Sequence, residues 1–186
     1  MHSAITGAAA TSSTVGTARS TRRRLPLRRA LVASAVLASM FSAVGSANAA
    51  SGVTIHNQYT GSVLDARGQG TGNWTEIWSY WANDQDNQKW TFHEVSTGVY
   101  NIQGLQSGRC IDIAHSDYAG PGYNLVLWDC NGNASQKWIA HPLASGGYQL
   151  QSSLNPAWCM ATDAINNNVK INWCDSGSGS QTYTWS

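Results

Sequence analysis

The sequence predicts an all-β domain in which three similar units close around one shared core. Three observations support this prediction. The same short motifs recur at a period in the forties, which is typical of repeat architectures. Between the motifs, short segments alternate apolar and polar residues, as half-buried strands do. No stretch of ten or more residues shows the periodicity of an amphipathic helix.

The amino-terminal segment has a different composition and is interpreted separately. Five arginines at residues 22–29 precede an apolar stretch at residues 30–44, and Ala47-Asn48-Ala49 has the pattern of a cleavage site. We therefore predict that residues 1–49 are a secretory signal peptide of bacterial type and that residues 50–186 form the exported domain. The apolar stretch is too short and too weakly hydrophobic to predict a membrane span, so we expect a soluble, extracellular protein. The paired arginines leave open whether export follows the general or the twin-arginine pathway.

The charge of the predicted exported domain argues against two classes of partner. All ten acidic residues lie in it, whereas six of the eleven basic residues lie before it, which leaves a net charge of −5. Its five basic residues are scattered and form no stripe that could neutralise phosphates. We therefore expect neither nucleic acid nor an anionic membrane surface to be a partner.

Three segments carry the repeated motifs, each with a short first motif, a polar loop, a second motif and a closing glutamine. The first motifs are residues 61–65, 108–112 and 157–161, the second are 76–80, 126–130 and 170–174, and the closing ones are 87–90, 135–138 and 180–183. The glutamines Gln88, Gln136 and Gln181 are 48 and 45 residues apart. The three repeats are placed at residues 53–94, 95–142 and 143–186.

Each repeat holds about four short strands, too few to bury an apolar face of its own. Three copies packed around a pseudo-threefold axis would share one core and leave few open strand edges. Gly, Asn, Asp and Ser cluster between the strands, as they do in turns, for example at residues 131–133 and 176–179. The predicted fold is therefore a trefoil-like closed barrel.

Four cysteines in an exported domain predict two disulfides, for which three pairings exist. Repeats two and three each carry two cysteines at matching positions, whereas repeat one carries Val63 and Tyr80 there. The predicted disulfides therefore join cysteines within a repeat: Cys110 with Cys130, and Cys159 with Cys174. A zinc site made of all four is disfavoured because the C-x2-C spacing is absent from the sequence.

A start of the form C-x-D, an aromatic residue before the second cysteine and a closing Q-x-W together resemble the repeat of the ricin B-chain type lectins and of the family 13 carbohydrate-binding modules. The resemblance covers nearly all of residues 50–186. It implies a β-trefoil fold and a protein that binds glycans, with one shallow site available in each repeat. In such a site the aspartate accepts hydrogen bonds from sugar hydroxyls, the aromatic stacks on the sugar ring, and the asparagine–glutamine pair completes the polar contacts.

The resemblance implies that repeat one holds the best candidate site, although this repeat has lost the disulfide. The implied sugar-binding residues are Asp65, Glu76, Trp78, Asn87 and Gln88. The implied ligands are galactose-type or xylose-type sugars, bound with no cofactor and no metal.

Repeat two is implied to be a second and weaker site. Its residues are Asp112, Trp128 and Gln136, with Val126 at the position of Glu76 and Ser135 in place of the asparagine. Repeat three has Ala161 instead of the aspartate, with Asp163 and Asn172 as the only substitutes, and is expected not to bind.

Structural interpretations of some of these residues stay open. Trp90 and Trp138 are predicted to be core elements rather than ligand contacts. Asp65 and Asp112 could instead form strand-end turns with their own backbone, although the tryptophan matched to each favours binding.

The tryptophans of the polar stretch at residues 71–86 are not explained by the repeat. Trp74 and Trp81 belong either to an extended binding face or to an association surface. In the same stretch, Asp84 and Asp86 are two carboxylates in a polar loop without the features of a glycosidase pair or a calcium loop.

No catalytic motif is found in the sequence, which lacks metal-binding histidine spacings and a nucleophile elbow. We therefore expect a non-catalytic protein, and the leading hypothesis is a free-standing lectin. The alternative within sugar binding is a carbohydrate-binding module detached from a hydrolase. The alternative of another class is a trefoil that binds a protein, such as a secreted inhibitor or a toxin subunit, because a fold alone does not determine function.

Overall fold

The computed structural model describes residues 52–117 and 119–186, and the predicted signal peptide at residues 1–49 lies outside this part. The regular structure consists of thirteen strands with antiparallel pairing and four single turns of 3-10 helix. The strands are β1 (Ile55–Asn57), β2 (Val63–Ala66), β3 (Ile77–Tyr80), β4 (Trp90–Ser96), β5 (Val99–Gly104), β6 (Cys110–Ile113), β7 (Leu125–Trp128), β8 (Lys137–Pro142), β9 (Tyr148–Ser152), β10 (Trp158–Ala161), β11 (Asn167–Asn168), β12 (Lys170–Trp173) and β13 (Tyr183–Trp185). The 3-10 turns are Arg67–Gln69, Asp86–Gln88, Ala134–Gln136 and Gly179–Gln181.

Six of these strands form a closed barrel. β1 pairs with β13, β13 with β9, β9 with β8, β8 with β5 and β5 with β4. A bridge between Val53 and Trp90 joins the segment before β1 to β4 and completes the ring. Each barrel strand therefore has a partner on both sides, which satisfies backbone groups that an open sheet would expose.

Three hairpins, β2–β3, β6–β7 and β10–β12, stand beside the barrel, one from each repeat. Short backbone bridges join each hairpin region to the next in the same way around the molecule. The bridges connect Glu76 to Val126, Asn124 to Lys170, and Asn168 to Trp78. This cyclic pattern is a pseudo-threefold arrangement, and the predicted β-trefoil is confirmed.

The core is assembled from sets of side chains to which each repeat contributes one member. Three fully buried sets are Ile55 with Ile102 and Leu150, Leu64 with Ile111 and Met160, and Ile77 with Leu125 and Val169. Trp90 and Trp138 are also fully buried, and their indole Nε1 atoms donate to the carbonyl oxygens of Leu64 (3.1 Å) and Ile111 (3.2 Å). The prediction that these two tryptophans are core elements is confirmed.

Both predicted disulfides are present. Cys110 is bonded to Cys130 and Cys159 to Cys174, with Cα–Cα distances of 5.1 Å and 4.9 Å. Each disulfide ties the start of a hairpin to the loop that follows it, within a single repeat. The repeat pattern was therefore sufficient to choose one of the three pairings.

The register of the hairpins corrects the alignment of repeats one and two. Asp65 lies opposite Trp78 in the β2–β3 hairpin, whereas Asp112 lies opposite Val126 in the β6–β7 hairpin. Trp78 is therefore the counterpart of Val126, and the sequence alignment of Trp78 with Trp128 is wrong. Two similar indoles misled the alignment because residue identity does not determine which residues pair across a hairpin.

The true counterpart of Trp128 is Tyr80. Trp128 lies opposite the first cysteine of its repeat, and Tyr80 lies opposite Val63, which replaces that cysteine in repeat one. The second cysteine comes two residues after Trp128, so its counterpart is Ala82 and not Tyr80.

No helix within residues 52–117 and 119–186 is long and apolar enough to cross a membrane. In this same part of the chain, no group of three or more histidine, cysteine, aspartate or glutamate side chains is placed to hold a metal ion.

Candidate functional site

The carboxylate of Asp65 is the centre of a hydrogen-bonded cluster in repeat one. Asp65 lies in β2 and is 5% exposed. Its Oδ2 accepts hydrogen bonds from Gln88 Nε2 (2.7 Å) and Asn87 Nδ2 (2.9 Å), and none of the described residues donates to Oδ1. Burial raises the pKa of Asp65, and the hydrogen bonds from Gln88 and Asn87 oppose this rise without cancelling it. One carboxylate oxygen is thus held by two amides, and the other has no donor among the described residues.

Gln88 positions both the carboxylate and the adjoining loop. Its Nε2 also donates to the carbonyl of Trp81 (2.9 Å), and its Oε1 accepts from the backbone N–H of Asn83 (2.9 Å). The amide of Gln88 is buried, is hydrogen-bonded at both its nitrogen and its oxygen, and orients Asp65. Asn87 likewise donates to the carbonyl of Ala66 (3.2 Å) as well as to Asp65.

An open cavity of about 460 Å³ lies against Asp65. The residues that line it are Asp65, Arg67, Gly68, Gln69, Trp78, Tyr80, Asn83, Gln85 and Asn87. The structure therefore brings three of the predicted residues of repeat one, Asp65, Trp78 and Asn87, to a common cavity, whereas Glu76 and Gln88 lie outside its lining.

Glu76 accepts hydrogen bonds from three side chains and lies outside the lining of the Asp65 cavity. Its Oε2 accepts from Arg67 (2.5 Å) and from Trp78 Nε1 (3.2 Å), and its Oε1 accepts from Asn168 Nδ2 (3.0 Å). Burial would raise the pKa of Glu76, but the hydrogen bonds from Arg67, Asn168 and Trp78 outweigh burial and hold the pKa below its ordinary value. Glu76 thereby fixes the Arg67 guanidinium, which lies 4.1 Å from the centre of the Trp78 ring.

Tyr80 is the site residue that the sequence analysis missed. It lines the cavity from the end of β3, is 40% exposed and occupies the position that Trp128 has in repeat two. Two aromatic side chains line this cavity. Arg67 packs on the ring of Trp78, and Tyr80 is the second aromatic residue. The spacing to the closing glutamine could have identified it. In repeat two the second cysteine lies six residues before Gln136 and two residues after the aromatic residue. The same spacing counted back from Gln88 leads to Ala82, and Tyr80 is the aromatic residue two positions before it.

Repeat two has a cavity of about 320 Å³ at the equivalent place. Its lining residues are Trp74, Ile113, Ala114, His115, Ser116, Asp117, Val126, Trp128, Asn131 and Asn133. The counterparts of Tyr80, Asn83 and Gln85 are Trp128, Asn131 and Asn133, so aromatic and amide groups stand in matching positions. The backbone of the repeat therefore forms this cavity in both copies.

The aspartate of repeat two is held differently. Asp112 Oδ2 accepts from Gln136 Nε2 (2.8 Å), but Ser135 replaces the asparagine that supplies the second donor in repeat one. Oδ1 of Asp112 and the hydroxyl of Ser135 are buried, and neither has a hydrogen-bond partner among the described residues. Asp112 and Gln136 do not line the cavity, so of the predicted residues of repeat two only Trp128 does.

Repeat three has no acidic group at the matching position. Ala161 is fully buried opposite Lys170, which forms an ion pair with Asp163 (2.5 Å). Asp163, one of the two substitutes considered from the sequence, is therefore engaged by a neighbouring cation. Asn172, the other, takes the place that Trp128 has in repeat two and offers no aromatic face.

The two tryptophans that the repeat did not explain have different surroundings. Trp74 belongs to repeat one but lines the cavity of repeat two. Trp81 is exposed, and its carbonyl accepts the hydrogen bond from Gln88.

One known family model matches part of the chain. Residues 86–173 match the family model described as ricin-type beta-trefoil lectin domain-like. This range contains repeat two completely, together with the end of repeat one and most of repeat three. No curated protein sequence matches the chain.

Three solved structures illustrate the similarity in fold. A designed threefold symmetric protein, ThreeFoil, aligns with a TM-score of 0.67 and 20% identity over 72% of this chain and 96% of its own. The Rhizoctonia solani agglutinin aligns with a TM-score of 0.63 and 19% identity, covering 73% of this chain and 94% of its own. The C-half of an earthworm R-type lectin, solved in complex with GalNAc, aligns with a TM-score of 0.55 and 17% identity, covering 73% and 98%. At these identities the likeness establishes the β-trefoil fold.

Proposed function

We propose that the chain is a secreted, non-catalytic protein that binds neutral glycans of the galactose or xylose type, because residues 86–173 match the model of the ricin-type beta-trefoil lectin domain-like family. The proposed sites are the cavities of repeats one and two. The observation that carries the proposal is the Asp65 carboxylate, which Asn87 and Gln88 hold at one oxygen while the other is left for a ligand in an open cavity.

The chemistry of this cavity suits a sugar. A carboxylate accepts stronger hydrogen bonds from hydroxyl groups than a neutral acceptor does, and the amide of Asn83 supplies a further polar group. The ring of Tyr80 offers an apolar surface on which the C–H face of a sugar can pack, whereas Arg67 lies over the ring of Trp78. Adjacent hydroxyls and an apolar ring face are features that a sugar presents together.

Binding at each cavity is expected to be weak. Both cavities are open to solvent, so a single sugar leaves much of its surface in water, and we expect a dissociation constant on the order of 1 mM, or about 4 kcal/mol. Useful affinity would come from two sites that engage one glycan or one glycan-bearing surface. Repeat one is proposed as the stronger site because its aspartate lines the cavity and has two amide donors.

Secretion is proposed from the predicted signal peptide at residues 1–49 and is supported by the two disulfides, which form and persist in oxidising compartments. The earthworm lectin structure contains GalNAc, a galactose derivative, which supports the galactose type as the first ligand to test.

The proposal is tested by binding of the purified protein to a glycan array that includes galactose, lactose and xylan fragments. Asp65→Ala and Asp112→Ala are the matched variants, because repeat three already accommodates Ala161 at the same position. Binding that is strongly weakened in Asp65→Ala, weakened less in Asp112→Ala and lost when the two changes are combined, with an unchanged circular dichroism spectrum, supports the proposal. Absence of binding by the parent protein to every glycan would refute it.

The alternatives lead to different outcomes. A module detached from a hydrolase would prefer polymeric xylan or galactan to the terminal sugars of cell-surface glycans. A trefoil that acts as an inhibitor or a toxin subunit would bind a protein, and removal of the glycans from that protein would leave binding unchanged.

A further inference from the structure

Trp74 is carried by the loop between β2 and β3 of repeat one, yet it lies at the cavity of repeat two. Its ring centre is 5.0 Å from that of Trp128, with the two planes nearly perpendicular at 79°. It also lies 4.9 Å from the ring centre of His115. Half of its surface (50%) is nevertheless exposed, so Trp74 combines aromatic packing with a free face.

A network of hydrogen bonds across the two repeats holds this loop in place. The backbone N–H of Trp74 donates to the carbonyl of Leu127 (3.0 Å). Asn73 Oδ1 accepts from Arg109 Nε (2.8 Å) and from the backbone N–H of Asp129 (2.9 Å), while Asn73 Nδ2 donates to Asp129 Oδ2 (3.0 Å). Arg109 also pairs with Asp129 Oδ1 (3.0 Å). The indole is therefore positioned in advance rather than carried on a loose loop.

The backbone of Trp74 is in a conformation that bulky residues rarely adopt. Its φ is +68°, in the left-handed region, and the residues at the equivalent positions of repeats two and three are Gly122 (φ +96°) and Asn166 (φ +58°). Gly and Asn tolerate this region, whereas tryptophan is disfavoured there. His115, which faces Trp74, is also left-handed, with φ +55°. Residues kept in such conformations cluster at functional sites.

Trp74 and His115, with Ala114 and Val126, line two cavities. One is the 320 Å³ cavity of repeat two, and the other has a volume of about 490 Å³. The second cavity is completed by Glu76, Pro121, Gly122, Tyr123 and Asn124. A carboxylate, an amide and an aromatic ring thus meet again, next to the first cavity and at the junction of repeats one and two.

We propose that these adjacent cavities form one extended site in which Trp74 contacts two consecutive sugars of a neutral glycan chain. Repeat two would therefore bind an oligosaccharide more tightly than a monosaccharide. This inference rests on the proposed function and adds a substrate class to it, namely linked sugars rather than a single terminal one.

Trp74→Asn tests the role of the indole with little disturbance of the backbone. Asn166 shows that asparagine is accepted at this position of the repeat, so the loop should keep its conformation. Trp173→Asn is the matched control, because Trp173 is 62% exposed and lies in repeat three, where binding is not proposed. Both changes are made in Asp65→Ala protein, which leaves repeat two as the proposed site that remains.

Isothermal titration compares galactose with β-1,3-galactobiose, and xylose with β-1,4-xylotriose. In the Asp65→Ala background we expect the oligosaccharide of the bound type to bind about tenfold more tightly than its monosaccharide, a difference of about 1.4 kcal/mol, because its second sugar also stacks on the indole. Trp74→Asn should reduce this ratio to about twofold or less, with a larger loss of affinity for the oligosaccharide than for the monosaccharide, whereas Trp173→Asn should leave the ratio intact.

Three results would overturn the inference. An unchanged ratio in Trp74→Asn, or an equal loss in Trp173→Asn, rejects the extended site while the proposed function stands. Sugar binding by repeat one alone, with none in Asp65→Ala protein, rejects it in the same way. If the parent protein binds no sugar in any assay, the proposed function fails and the extended site fails with it.

Discussion

The cavities of repeats one and two have the same backbone setting and different chemistry. In repeat one the aspartate lines the cavity, two amides hold it and no disulfide is present. In repeat two a disulfide closes the hairpin, but one amide holds the aspartate, and a carboxylate oxygen and a hydroxyl are buried without partners among the described residues. The cavity therefore forms without a disulfide in repeat one and with a smaller polar cluster in repeat two.

Repeat three extends this comparison. It has the disulfide and the closing glutamine, whose Nε2 donates to the carbonyl of Trp173 (2.7 Å), but Ala161 is buried where the aspartate would be. The loop contacts of Gln181 are thus kept without the acidic group. The glutamine has a structural task of its own, and its presence in a repeat does not by itself indicate a binding site.

The largest effect on stability is expected from removing the disulfide of repeat two, so that this repeat resembles repeat one. Cys110→Val combined with Cys130→Ala introduces the residues that repeat one has at positions 63 and 82. Because the disulfide closes a loop of 20 residues, its removal should lower the free energy of unfolding by about 3 kcal/mol. Urea unfolding measures this, and a loss below about 1 kcal/mol would show that the hairpin is already held by its packing.

The next effect concerns the amides that hold the two aspartates. Gln136→Ala removes the donor of Asp112, whereas Gln88→Ala leaves Asp65 with its bond from Asn87. Leaving a buried carboxylate unpaired is costly, so we expect a loss of about 3 kcal/mol for Gln136→Ala and about 2 kcal/mol for Gln88→Ala.

The same urea experiment measures both variants. The two glutamines make equivalent loop contacts, so the difference between the variants isolates the second donor. Equal losses would mean that Asn87 does not stabilise Asp65.

Ser135→Asn is expected to increase the free energy of unfolding, by a smaller amount than the preceding variants lower it. This change gives repeat two the residue that repeat one has at position 87, and its amide would donate to Asp112. A hydrogen bond to a buried charged group should stabilise the protein by about 1 kcal/mol. Thermal unfolding gives the stability and titration with sugar gives the affinity of repeat two, which should rise a few-fold; a destabilised variant would show that the space beside Asp112 is too small.

The smallest effect is on the pH dependence of repeat one. Burial raises the pKa of Asp65 above the ordinary value of an aspartate, so in Asp112→Ala protein the loss of sugar binding on acidification should begin at a higher pH than for an ordinary aspartate. The sign for stability is opposite. Since the folded state binds this proton more tightly than the unfolded state, protonation of Asp65 favours folding as the pH falls through its raised pKa.

Titration calorimetry between pH 7 and pH 4 on Asp112→Ala protein follows the binding, with the circular dichroism spectrum as the control for folding. A binding midpoint at or below the ordinary aspartate pKa would mean that a bound sugar, rather than burial, determines the protonation of Asp65.

Much of this fold could be predicted from the sequence because it is repeated. Three copies of one motif gave the all-β class, the threefold arrangement, the disulfide pairing and the buried Trp90 and Trp138. Each of these properties depends on the position of a residue within its own repeat, and comparison of the copies shows that position directly.

The parts that could not be predicted depend on contacts that the motif does not contain. The equivalence of Tyr80 and Trp128 follows from backbone pairing, and the match of two tryptophans hid it. Arg67 covers the ring of Trp78 because Glu76 holds it there, and neither residue has an equivalent partner in repeat two. Trp74 crosses from one repeat to the next, so comparing repeats one by one assigns it to the wrong cavity.

The pseudo-threefold axis also sets the directions in which the two candidate cavities open. Equivalent cavities in successive repeats are turned by a third of a revolution, and so they face different sides of the molecule. A short sugar chain that fills one cannot reach the other, and simultaneous occupancy requires two chains or one long chain that bends around the protein. A molecule with this geometry would cross-link glycans rather than clamp a single short one.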